Sequence, residues 1–110
     1  MPVAVPEVID RYYRAINDGD LDAFVACFAD DATVADEERL HEGPAAIRAW
    51  RERTMAAYAY TAEPLGVQPE AGDSYVVTAR VSGTFPGSPT ELRHRFTLRD
   101  DRIGALDIRP

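Results

Sequence analysis

From about Tyr60 the hydrophobic period of this 110-residue chain changes from 3.6 residues to 2, and that switch restricts what it can fold into. Before it, Val5, Val8, Ile9, Tyr12, Tyr13 and Ile16 repeat at helical spacing from a start near Pro6, and Gly19 ends the run. Asp20 is placed to cap a second, short helix carrying Leu21, Phe24, Val25 and Phe28. Gly43-Pro44 opens a third, with Ile47, Trp50, Thr54 and Ala57 or Tyr58 as its buried stripe. Between the second and third helices lies one short strand, Ala32 to Asp36, and residues 37–42 read as a charged loop.

After the switch the pattern is a meander. A strand runs from Tyr60 through Val67, Ala71-Gly72-Asp73 turns, and a long strand follows from Ser74 to Phe85. Thr90 to Arg99 separates into Leu92, His94, Phe96 and Leu98 against Arg93, Arg95, Thr97 and Arg99, and Asp100-Asp101 is a hairpin-turn candidate before a last strand, Arg102 to Arg109. Three helices and an early strand, then antiparallel strands, predict an α+β layer fold with the helices on one face of the sheet, as a single domain over residues 1–110.

Charge narrows the partners. A net charge of −7 repels phosphate, so nucleic acid and anionic membranes are not expected partners, and neutral or cationic small molecules are. One cysteine, Cys27, and two separated histidines offer neither an internal disulfide nor metal-ligand spacing, so no metal or other cofactor is expected. With no export signal or membrane-length apolar run, the expected compartment is the cytoplasm.

Strand alternation nominates the site. Ala32, Val34 and Asp36 share a side that needs a core, so Asp36 points inward as a candidate proton-transfer carboxylate; its alternative is a carboxylate capping a loop at the rim. His94 lies on an apolar strand face, as a pocket acid-base group or a histidine satisfied within the core. Tyr12 and Tyr13 stand on the buried stripe of the first helix as donors or as core. Tyr13, Val34, Trp50 and Phe96 are the candidate ligand contacts, while His41, in the charged loop, reads as solvated and Asp107 as outward-facing.

The run Arg11-Tyr12, Asn17-Asp-Gly-Asp-Leu-Asp22, Phe28-Ala-Asp-Asp-Ala-Thr-Val34 and Gly43-Pro-Ala-Ala-Ile47 resembles the nuclear transport factor 2-like superfamily, in its SnoaL-like and ketosteroid-isomerase branch. The resemblance implies a curved sheet wrapped by helices around a conical cavity, and a homodimer. It also implies that Asp36 stands at the position of a catalytic carboxylate and Tyr12 at that of an enolate-oxygen donor. His94 stands where isomerases of that branch carry a protonated Asp. The Asp-Arg-Asp relay of the superfamily's epoxide hydrolases is incomplete, because Arg80 is followed at the right spacing by Ser82. Two readings follow. The first is an isomerase or cyclase moving a proton on an apolar carbonyl compound through Asp36, Tyr12 and His94; the second is a non-catalytic module that binds a ligand or dimerises through its outer sheet face, where Arg93, Arg95 and Arg99 make a basic stripe.

Overall fold

The computed structural model describes residues 5–36 and 39–110. Helix α1 (Glu7–Asp18) buries Val8, Ile9, Tyr12, Tyr13, Ala15 and Ile16, the face its spacing dictates. It ends at Gly19, whose φ of 67° suits a residue without Cβ. The Gly19 N–H then reaches Ile16 O at 3.2 Å and the Asp20 N–H reaches Ala15 O at 3.0 Å, satisfying two otherwise orphaned carbonyls. Asp20 also caps α2 (Leu21–Ala26), accepting from the Ala23 N–H at 3.0 Å, so one residue closes one helix and opens the next.

Four elements differ from the sequence expectation. Phe28 leaves the helix and starts strand β1 (Phe28–Asp36), because the Ile103 N–H binds Cys27 O at 2.8 Å and draws the chain into the sheet four residues early. Residues 39–42 are strand β2 (Arg39–Glu42) rather than loop, paired antiparallel with β1; its mostly exposed side chains leave no alternation to read. The earlier part of that expected loop, Glu37 and Glu38, lies outside the described residues. Helix α3 (Gly43–Ala57) leads to β3 (Tyr60–Glu70), which runs past Val67, and β4 (Ser74–Gly83) stops short of Phe85. Strands β5 (Thr90–Arg99) and β6 (Arg102–Arg109) complete the sheet.

The six strands form one curved, unclosed sheet in the order β2-β1-β6-β5-β4-β3, antiparallel throughout except for the β1–β6 pair. The core lies between this sheet and the helices, around Ile9, Phe24, Val34, Ile47, Val77, Phe96, Ile103 and Leu106. Asn17 fastens α1 to the edge strand, accepting from the Ala62 N–H at 2.8 Å and donating to Ala62 O at 3.0 Å. On the outer face the basic stripe is matched within the chain: Arg95 pairs with Glu70 at 3.1 Å, Arg99 pairs with Asp31, and Arg93 donates to Pro110 O at 3.4 Å.

Asp100 and Asp101 form the two-residue β5–β6 turn with φ values of 53° and 63°, the left-handed pair of a type I′ hairpin. Aspartate tolerates that region but glycine fits it without strain, so Asp101→Gly is expected to stabilise the fold by roughly 1 kcal/mol. Thermal unfolding should show a gain of several degrees in Tm; an unchanged or lower Tm would mean that the turn is relaxed as it stands.

Candidate functional site

A cavity of about 550 Å³ opens between α1, α3 and the sheet, a size suited to a small organic molecule. Its position follows from strand register. Asp36 on β1 pairs with Ile108 on β6, and Ile108 pairs with His94 on β5, so the three form one row across neighbouring strands. All three line the cavity. Two residues deeper, Val34, Leu106 and Phe96 form the next row on the same side, and all are buried in the core. The cavity therefore begins where the second row ends. Asp36 and His94 are two strands apart, so about 10 Å separates their backbones, leaving room for a ligand between them.

Of the seven candidates, Tyr12, Asp36, Trp50 and His94 are in the cavity wall, whereas Tyr13, Val34 and Phe96 stand behind it. Period-2 alternation assigned Val34 and Phe96 to the correct side of the sheet but carries no information on depth, and their row is closed by packing. Asp107, paired in the ladder between inward-facing Leu106 and Ile108, points to the outer face and pairs with Arg109 at 3.1 Å.

Asp36 is half-buried at the end of β1 and accepts from Trp50 Nε1 at 3.3 Å. One face of Trp50 is covered by His41, stacked at 5.5 Å between centroids. His41 is thus not merely solvated: it packs on the indole whose N–H meets Asp36.

His94 is anchored to α1 through one ring nitrogen. Its Nδ1 is 2.8 Å from the Tyr13 hydroxyl, and burial pushes its pKa down to about 4, so it is a neutral imidazole at pH 7. Burial raises the Tyr13 hydroxyl pKa, which leaves that group protonated. With Tyr13 donating to Nδ1, Nε2 carries the remaining ring proton. No described side-chain nitrogen or oxygen is both shielded and without a partner, so Nε2, which has no partner among the described residues, opens on the cavity.

Tyr12 is held by ring contacts with Tyr13, Phe24 and Phe96 at 5.0 to 5.1 Å. Burial raises its hydroxyl pKa, nearby Arg51 pulls it down, and nearby Asp36 pushes it up. Tyr12, Arg51 and Asp36 all line the one cavity, and the Tyr12 hydroxyl, without a protein partner among the described residues, faces it.

Arg51 is a wall residue that the sequence reading missed. It follows Ile47 by four positions, so helical spacing puts it on the buried stripe. Its charge disguised it, because a buried stripe is ordinarily read from apolar residues alone. Phe85 and Thr54 also line the cavity. Among the described residues no cluster of three or more His, Cys, Asp or Glu side chains is arranged to hold a metal ion, and no helix is long and apolar enough to cross a membrane.

Comparison with known proteins bears on the family and the fold. The model of the SnoaL-like domain matches residues 9–105. A protein of Sinorhizobium meliloti, assigned provisionally to the polyketide cyclases, has a similar solved structure with 42% identity and a TM-score of 0.91, over 96% of this chain and 95% of that one. An epoxide hydrolase/cyclase-like enzyme of pyran ring formation in the polyether salinomycin is 28% identical with a TM-score of 0.78, over 93% and 86%. A protein of Catenulispora acidiphila with a ketosteroid isomerase-like fold, solved with trimethylamine, shares the fold at 22% identity and a TM-score of 0.85, over 97% and 87%.

Proposed function

Given that this chain belongs to the SnoaL-like domain family, we propose that it is a cofactor-independent isomerase or cyclase that moves a proton on an apolar carbonyl compound. The observation that carries the reading is the row Asp36–Ile108–His94, open to the cavity and faced by the Tyr12 hydroxyl. It supplies a carboxylate at one end, neutral donors at the other, and an apolar floor between them.

In this mechanism Asp36 removes a proton from the carbon next to the carbonyl. The electron pair of that C–H bond moves to the carbonyl oxygen, and the O–H of Tyr12 and the Nε2–H of His94 stabilise the enolate by hydrogen bonding. Both are weak acids held neutral by burial, so they donate without giving up their protons. Where a C=C bond lies one carbon further along, the resulting dienolate takes the proton back from Asp36 at the far carbon, which is isomerisation. Otherwise the enolate carbon attacks a second carbonyl carbon of the same molecule, the C=O electron pair moves to that oxygen, and the alkoxide takes the proton from Asp36, which closes a ring. Trp50 fixes the Asp36 carboxyl through Oδ2.

The test is proton exchange. Wild-type protein is expected to speed hydrogen–deuterium exchange at the carbon beside the carbonyl in a panel of apolar mono- and diketones, followed by NMR. If the panel binds in the cavity and exchanges no faster than in buffer, the proton-transfer reading fails and a binding module remains.

A further inference from the structure

We propose that the ligand of this cavity carries a carboxylate and that Arg51 holds it. This deepens the proposed reaction by naming its substrate class, a carboxylate-bearing apolar ketone, and it depends on that reading only for the reacting carbonyl.

Arg51 is 3% exposed. Eight other arginines, among them Arg11, Arg48 and Arg95, reach carboxylates near the surface, so the chain readily supplies partners where charges are solvated. Arg51, where a partner matters most, pairs with no carboxylate of a described residue. Its guanidinium carbon lies 5.1 Å from the Phe24 ring centroid and 4.6 Å from that of Tyr60. These rings hold the cation in place but accept none of its N–H bonds. Its side chain makes no hydrogen bond to a described residue, yet none of its nitrogens is fully shielded, so its donors open on the cavity that it lines.

An unpaired buried cation is costly to keep, and a hydrophobic side chain of similar volume would serve packing better. A ligand anion that completes its pairing is the chemistry the site lacks. The planar fork matches a carboxylate. A phosphate fits less well, because the surrounding wall is largely apolar, with Ile16, Val81, Leu92 and Ile108, and contributes no second cation. The net charge of −7 pointed to neutral or cationic ligands, but bulk charge is screened within about 10 Å in salt whereas a desolvated contact is not. With Arg51 on α3 and Asp36 on β1 both lining the cavity, a carboxylate is drawn to the first and repelled by the second. The ligand is thereby oriented with its anion away from the base.

The experiment uses 2-naphthoate and its neutral isostere 2-naphthamide as probes, with binding read from calorimetry and from the fluorescence of Trp50, the only tryptophan. Wild-type protein is expected to bind the carboxylate at least 10-fold more tightly than the amide. Arg51→Met should remove that preference while keeping the apolar stem, and Arg51→Gln gives the same readout should the methionine variant fail to fold. Equal affinities in wild type, a preference that survives in the neutral variant, or no binding of either probe at millimolar concentration would overturn the proposal. Asp36→Asn separates it from the reaction: carboxylate binding should hold or tighten in that variant even though exchange is lost.

Discussion

Asp36→Asn is expected to lower the rate of exchange at the carbon beside a carbonyl by 10²–10⁴-fold, the range contributed by a positioned general base. Asparagine has the shape of aspartate and an oxygen that can still accept from Trp50 Nε1, so the wall around residue 36 should persist. What is lost is the ability to take a proton. Far-UV and near-UV circular dichroism should match wild type, and the loss should appear in kcat with KM little changed, because the amide occupies the same space. A variant that folds and exchanges at the wild-type rate would reduce Asp36 to a hydrogen-bond acceptor for Trp50.

The second large effect is acid lability centred on His94. In the unfolded chain its imidazole titrates near 6.5, whereas burial holds the folded value at about 4. Above pH 6.5 the group is neutral in both states and favours neither. As pH falls from 6.5 towards 4, the unfolded chain takes up a proton that the folded chain refuses, so stability drops with pH. At about 1.4 kcal/mol per unit, the loss across that window reaches about 3 kcal/mol; below pH 4 the folded imidazole also protonates and this contribution levels off. Urea unfolding of wild type and His94→Gln at pH 7.5, 5.5 and 4.5 isolates it from the carboxylates common to both. Glutamine can still accept from Tyr13, and the variant should lose less stability on acidification; parallel slopes would mean that His94 is not the acid-sensitive group.

The fold was largely legible because burial and period coincide over long segments. Tyr12, Tyr13 and Ile16 on α1, and His94 and Phe96 on β5, face the core as their spacing requires. β2 was illegible because an edge strand with exposed side chains carries no alternation, and its pairing with β1 is made by backbone groups common to every residue. In the site, direction could be read and depth could not. Asp36 and Val34 share a side, but only the pairing of β1 with β6 decides which of them meets open space. Arg51 shows a different failure: its helical position was correct for burial, and its residue type argued against it.

The order of the strands has a consequence for how the chain is born. β6 is made after every other element of the sheet, yet it lies between β1 and β5. Until it leaves the ribosome, the β1–β2 hairpin and the β3–β4–β5 meander have no strand between them to share backbone bonds with. Residue 36 and residue 94 therefore enter the same row only when Ile108 arrives to bridge them. Assembly of the site thus waits for the last-made strand of the sheet, and a stalled chain ending before Arg102 would expose two apolar half-sheets to whatever chaperones attend it.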